Sequence, residues 1–192
     1  SNAIHGDRSA PLSGSPRLEP DKMRLLAGRL TELSRGLADI GLRTAYHHHV
    51  GTVVETPDEI DALMAASGME LGLLLDTGHC QFAGGDPATL ARRHGDRVVH
   101  VHCKDIRAEV LDRARADDLS FLDAVVDGVF TVPGDGCVDY PPVFRSLVDS
   151  GYDGWLVVEA EQDPERAPPA QFANLGFRNL RSLAKAAGFT IS

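Results

Sequence analysis

The chain has 192 residues, 43% of them hydrophobic, which is enough to bury one core or a large piece of one. Its 28 acidic residues against 19 Lys and Arg leave a formal net charge of −9, which argues against nucleic acid and anionic membrane as partners, because binding there rests on cationic side chains. No apolar run approaches the roughly 20 residues of a membrane span and no segment resembles a leader, so the cytoplasm is the expected compartment, and three cysteines (Cys80, Cys103, Cys137) at unrelated spacings indicate neither a disulfide framework nor a zinc knuckle.

In chain order, Ser1 to Ala3 reads as a tag remnant, leaving residues 4–192 as a single partial α/β domain. Residues 4–18 form a Gly-, Ser- and Pro-rich loop. Met23, Leu26, Leu30, Leu33 and Leu37 then recur at helical spacing, predicting a helix from Pro20 to about Gly41 with one buried stripe. A short strand, "LRTAYHHH", follows and carries His47, His48 and His49, which lie too far from either end to be a purification tag. Thr56, Pro57 and Glu59 supply the N-cap, first-turn proline and capping-box partner of a helix ending near Ser67.

"LGLLLDTGH" is a continuous apolar run, the pattern of a strand buried on both faces, and it ends in Asp76 and His79. Asp86 and Pro87 open the next helix, and "RVVHVHCKD" is another buried strand ending in His102, Lys104 and Asp105. A helical stretch around Leu111 to Val126 leads to the glycine-bearing loop "VPGDGCVDY". The helix "PPVFRSLVDSGY", the strand "GWLVVEAE" ending in Glu159, and a closing helix with Phe172, Leu175, Leu180 and Leu183 as core candidates complete the chain.

Strands alternating with helices predict a parallel α/β sheet, a class that gathers functional groups at strand C-termini. Four strands do not close an eight-stranded barrel. Asp76, His102, Glu159 and a histidine from 47–49 end successive strands, a mixed His/carboxylate set suited to Mn²⁺, Co²⁺, Zn²⁺ or Mg²⁺. Each alone has a plainer explanation, since a strand-end Asp commonly caps the next helix and a lone His commonly packs in a core. Four in succession point jointly to a metal. His79 is a candidate for a substrate oxygen, and Lys104, Asp105 and Arg107 for orienting substrate, against the alternative of solvated loop charges. Of His100 and His102, only one is expected to serve the rim, the other packing beneath a helix. "PGDGC" is too short for a phosphate cradle and lacks the P-loop lysine.

"DTGH" at 76–79, "HVHCKD" at 100–105, "GDGCVDY" at 134–140 and "GWLVVEAE" at 154–161 resemble the xylose-isomerase-like sugar isomerase/epimerase superfamily of metal-dependent TIM barrels. Within it, "AYHHHVGT", "HVHCKDIR", "FTVPGDG" and "VVEAEQDP" are similar to the inosose dehydratases, from about Ile4 to the end. The resemblance implies Asp76, His102 and Glu159 as ligands and His79 as a substrate contact. The superfamily's usual first ligand, a Glu, falls on His47, with His49 the other candidate and His48 pointing away. "IHGDRS" resembles the segment after the fourth barrel strand, which implies the C-terminal half of a (β/α)8 barrel whose open edges a homodimer could cover. The implied activity is dehydration of 2-keto-myo-inositol, a cyclic polyol ketone of myo-inositol catabolism, with Mn²⁺ or Co²⁺ foremost. Glu159 or a neighbouring carboxylate would take the α-proton, and His49 or His79 would assist the departing hydroxyl. A sugar isomerase or epimerase on the same scaffold, and an inactive half-barrel, are the competing expectations. The superfamily's DNA-repair endonucleases fit poorly with the acidic charge.

Overall fold

A computed structural model describes residues 3–191; the tag-remnant reading of Ser1 and Asn2 falls outside them. A loop with a 3-10 turn at Leu12–Gly14 leads into α1 (Pro20–Ala38), whose first-turn proline lacks only an N–H that would have no partner there. Met23, Ala27, Thr31 and Ser34 are its buried face. Leu33, expected in the stripe, lies at its margin and is 57% exposed, because the helix turns small and hydroxyl side chains inward. Thr31 Oγ1 repays this by donating to Ala27 O and accepting from Gly68 N, which ties the helix to the turn before the second strand.

Strand β1 (Thr44–His47) is followed by α2 (Pro57–Ala66), closed by the expected capping box: Glu59 N donates to Thr56 Oγ1, and Thr56 N to Glu59 Oε2. β2 (Leu71–Asp76) is buried on both faces. It runs directly into a short helix absent from the sequence reading, α3 (Thr77–Phe82), capped by Asp76. Next come α4 (Pro87–His94), capped by Asp86, and β3 (Val98–Cys103). The helix expected over 111–126 is two helices, α5 (Ala108–Ala116) and α6 (Phe121–Val126). Asp118 takes a left-handed φ of 47° between them, and Ser120 caps the second by accepting from Asp123 N. These helices stand between two further short strands, β4 (Asp105–Ile106) and β5 (Phe130–Thr131), paired antiparallel. Sequence patterning missed that ribbon, since two-residue strands carry no period. α7 (Tyr140–Asp149), β6 (Leu156–Val158) and α8 (Pro169–Ala187) follow.

The main sheet has the order β1-β2-β3-β6, all parallel, in keeping with the expected architecture. Its register sets Asp76 beside His102 and Cys103 beside Val158, so strand C-termini meet at one rim. Helices α1, α2, α4, α7 and α8 contribute to one core with Leu73, Leu75, Val101, Phe144 and Leu147 at its centre. A second core, around Phe82, Ile106, Phe121 and Phe130, fixes the ribbon beside the rim. Burying each such side chain stabilises by about 1.5–3 kcal/mol, so the rim stands on rigid ground. Arg97, at the opposite end of the sheet, spends its guanidinium on Leu71 O, Met64 O and Gly68 O and is structural. Among the described residues no helix is long and apolar enough to cross a membrane.

Candidate active site

Alternation along a strand turns every second side chain to the same face, and the histidine run obeys it. His48 is fully buried, and its Nε2 accepts from Asp76 N at 3.3 Å; burial depresses its pKa to about 4, against the pull of Asp76. His47 and His49 face the rim, their rings 5.6 Å apart. Residues two apart share a face, so the expectation that only one of His100 and His102 faces the rim side fails: their rings lie 5.3 Å apart, and neither is packed away. His102 stands one pleat nearer the strand end and reaches the carboxylates.

Asp76, fully buried, does two things at once. Oδ1 accepts from His79 N at 2.8 Å, capping α3, while Oδ2 faces His47 Nε2 and His102 Nδ1, each at 3.4 Å. Glu159 Oε2 is 3.5 Å from His102 Nδ1. The structure therefore brings together the four residues expected to ligate. His79, fully buried, stacks on His49 with ring centroids 3.8 Å apart. Burial holds His79 well below the usual histidine range, against the attraction of Asp76.

Lys104, from the link between β3 and β4, is fully buried beneath the rim. Its Nζ lies 2.7 Å from Glu159 Oε2, 3.3 Å from Glu161 Oε2 and 3.6 Å from Asp76 Oδ2, and it donates to His79 Nε2 at 3.0 Å. Burial alone would lower the lysine pKa, but Asp76, Glu161 and Glu159 outweigh it and raise the value. Burial likewise pushes Asp76 toward protonation, and the charge of Lys104 foremost, with the imidazoles of His79, His102 and His47 around it, reverses this and holds it well below the carboxylate range. Gly78 permits the arrangement, since a Cβ there would meet the Lys104 side chain at 2.6–2.8 Å.

The other two expected substrate-orienting residues are spent on structure. Asp105 is buried and accepts from Ile106 N, Val138 N and Gly134 N at 2.8–2.9 Å, pinning the loop "PGDGC". A Cβ at Gly136 would meet Asp105 Oδ1 at 2.3 Å, so glycine is required where this loop closes over the carboxylate. Arg107 donates to Gly128 O, Thr131 Oγ1 and Asp135 Oδ2, bracing the ribbon. Two residues were missed. Glu161 Oε1 is 3.6 Å from His49 Nε2, and the "EAE" alternation after β6 was a legible signal for it. His5, whose ring is 5.0 Å from that of His49, lies in the entry loop and carried none.

The donor set fits a divalent cation. Glu159 Oε2 and Glu161 Oε2 are ion-paired to Lys104 Nζ at 2.7 and 3.3 Å, while His47 Nε2, Asp76 Oδ2 and His102 Nδ1 are buried atoms without a hydrogen-bond partner. Leaving such atoms unsatisfied costs about 1–3 kcal/mol each. Ligands about 2.1 Å from an ion lie about 3.4 Å from one another, the spacing of the neighbouring pairs His47–Asp76, Asp76–His102 and His102–Glu159. Three carboxylates against one ammonium also leave two formal negative charges uncompensated.

Comparison with known proteins assigns the fold and the family. The chain is 51% identical over 188 residues to the rhizopine catabolism protein MocC of Rhizobium meliloti, and 44% identical over 174 residues to an inosose dehydratase of Clostridium beijerinckii. These alignments cover 98% and 90% of the chain but 58% of each relative, so the chain spans little more than half their length. Among solved structures, the zinc-bound IOLI protein matches with a TM-score of 0.68 at 17% identity, over 92% of this chain and 61% of that one. A magnesium-complexed xylose isomerase-like barrel protein from Mycobacterium smegmatis matches at 0.61 and 17%, over 88% and 54%; both likenesses concern the fold. The model of the xylose isomerase-like TIM barrel family matches residues 4–183, and with four parallel strands delivering their ends to one His/carboxylate rim, the chain belongs to that family.

Proposed function

We propose that the chain is the site-bearing part of a metal-dependent dehydratase acting on 2-keto-myo-inositol. The observation that carries this reading is the convergence of Asp76, His102 and Glu159 at ligand spacing, with His47 against the same Asp76 oxygen and the facing atoms of His47, Asp76 and His102 without hydrogen-bond partners; 44% identity to an inosose dehydratase supports the substrate class. These four residues would hold the ion; the donors admit Zn²⁺ and Mg²⁺ as well as Mn²⁺ and Co²⁺, the two that the family resemblance puts foremost. A bound divalent ion supplies Lewis-acid polarisation of the ketone and its neighbouring hydroxyl. The chain's own residues do the rest. A carboxylate at the end of β6 takes the proton α to the ketone, His49 donates to the departing β-hydroxyl, and His79 and Lys104 orient the substrate oxygens. The apolar wall of Phe121 and Phe130 behind His79 limits water at that side.

The test is incubation with 2-keto-myo-inositol with and without Mn²⁺ or Co²⁺, following diketone absorbance. Metal-dependent turnover abolished in Asp76→Ala is expected; turnover indifferent to metal would overturn the reading. The 51% relative favours a second reading, a step of rhizopine catabolism at the same site. Turnover of a rhizopine-derived ketone in preference to 2-keto-myo-inositol would select it.

For assembly we propose that the chain corresponds to the C-terminal four strands of a barrel and that a second copy covers its open edges. Support comes from β1 and β6 standing unpaired on their outer sides among the described residues. Exposed apolar side chains flank both: Leu42 and Met69 beside β1, and Trp155 and Phe177 along a groove of about 430 Å³ beside β6. Light scattering should return twice the 20.6 kDa chain mass, and a monomer at micromolar concentration would refute this.

A further inference from the structure

The entry loop is fastened at both ends. Ile4 N donates to Gly51 O at 2.8 Å, in the turn that follows the histidine run. Gly51 has a left-handed φ of 76°, and a Cβ on it would meet His5 N at 2.9 Å, so glycine is what lets the two backbones close. Further along, Arg8 pairs with Asp123, Pro11 bridges to Ser120, and Leu12 N donates to Leu119 O at 2.9 Å. Ser13 donates from its N and its Oγ to the two carboxylate oxygens of Asp118. The loop is thus a strap from the turn after β1 to the junction of α5 and α6.

This fastening brings His5 to the rim. Its ring lies 5.0 Å from that of His49, which is flanked also by His47, His79 and Phe121 at 5.6, 3.8 and 5.2 Å. Of these four neighbours only His5 is exposed. The polar side chains beside it in the strap are committed: Asp7 accepts from Ser9 N and Oγ, and Arg8 holds Asp123. The ring nitrogens of His5 bond no group among the described residues. A strap that only sealed the second core could end at Leu12, which packs on it; the stretch before Leu12 sets one uncommitted imidazole at the mouth of the site.

We infer that His5 is a substrate-contacting residue that selects for a polyol, its imidazole hydrogen-bonding a hydroxyl remote from the ketone. This deepens the dehydratase reading and rests on it. A ring with a hydroxyl on nearly every carbon leaves several beyond the pair at the ion, and these need partners once the substrate sheds its water. A neutral imidazole offers one donor and one acceptor, which matches the two roles of a hydroxyl. No bond is made or broken at His5 and no charge is asked of it. Its contribution is to binding, the same before and during the reaction, so it belongs in KM and not in kcat.

The test uses the whole chain with His5→Ala and His5→Gln, loaded with Mn²⁺. KM and kcat are measured for 2-keto-myo-inositol, with Mn²⁺ content after dialysis and the melting temperature of each variant. Calorimetry gives the affinity for myo-inositol, which carries the same remote hydroxyls and no ketone. His5→Ala should raise KM and the myo-inositol Kd about 10-fold, equivalent to about 1.4 kcal/mol, while kcat changes by less than about 3-fold and metal content and melting temperature hold. His5→Gln, which keeps a donor and an acceptor, should recover most of that loss. An unchanged KM in His5→Ala overturns the assignment, and so does a loss of Mn²⁺ or of melting temperature, which would make His5 a ligand or a merely structural residue. If the wild type turns over no ketone, the dehydratase reading fails and calorimetry decides. Weaker myo-inositol binding in His5→Ala then upholds the contact, and equal binding, or none to the wild type, overturns it.

Discussion

Replacing Asp105 decides whether it serves the substrate, as its place after β3 suggests, or the loop, as its hydrogen bonds indicate. Its carboxylate accepts from Ile106 N and Val138 N through Oδ1 and from Gly134 N through Oδ2. Hydrogen bonds to a charged group are worth about 1.5–3 kcal/mol net each. Gly134 is exposed and recovers water when the partner goes, whereas the N–H groups of Ile106 and Val138 belong to buried residues. Burial also raises the Asp105 pKa despite those N–H groups, so part of the gross gain is already lost to desolvation. Asp105→Ala should therefore cost about 3–5 kcal/mol. Asp105→Asn, whose amide oxygen can keep the Ile106 and Val138 bonds while its NH₂ opposes Gly134 N, should cost about 1–2 kcal/mol. Urea unfolding followed by circular dichroism gives both numbers, with Mn²⁺ content and KM measured on the asparagine variant. Unchanged stability beside a raised KM would return Asp105 to the substrate and refute the structural account.

Removing metal with a chelator should lower the melting temperature of the wild type and leave Asp76→Asn unaffected; at an ion concentration 100 times Kd the stabilisation lost is about 2.7 kcal/mol. Equal melting shifts in the two proteins would exclude Asp76 as a ligand. Iodoacetamide at pH 8 should modify exposed Cys137 alone, because Cys80 and Cys103 are buried and burial pushes the Cys80 thiol up to about 12; a second adduct before unfolding would contradict this. Asp86→Ala should cost about 1 kcal/mol at pH 7, since Asp86 accepts from Ala88 N and Thr89 N at the start of α4. The hydrogen bonds from Thr89 foremost hold that carboxyl below its usual 3.8, so its contribution is present above 3.8 and lost as pH falls through the lower folded value. A variant difference that widens on acidification would refute the capping account.

Local periodicity carried much of the fold, and where it failed the cause was non-local. β2 was legible because "LGLLLD" needs no partner to be read as buried on both faces, and α2 because its capping box is complete within four residues. The β4–β5 ribbon was not, because Asp105 and Thr131 are joined only by a pairing across 26 positions. That same pairing separates three charges that look alike in sequence. The chain sends Lys104 beneath the rim, Asp105 into the loop after β5 and Arg107 against the ribbon, and nothing within "KDIR" distinguishes them.

Asp76 shows a different limit. In sequence, helix cap and metal ligand look like alternatives for a strand-end Asp, yet a carboxylate has two oxygens, and here Oδ1 caps α3 while Oδ2 faces the histidines. The cap is what aims the ligand: by holding Oδ1 on His79 N it fixes the plane of the carboxylate and leaves Oδ2 one direction to face. The same helix start carries His79 to the rim, and Gly78 between them leaves room for the Lys104 side chain. Thus "DTGH" places an acceptor, a space and an imidazole around one ammonium. A substitution of Asp76 that kept the charge but moved the oxygens, Asp76→Glu, should consequently lower thermal stability by loosening the α3 cap as well as weaken Mn²⁺ binding, whereas Glu159→Asp, which disturbs no cap, should weaken Mn²⁺ binding with the melting temperature of the metal-free protein unchanged.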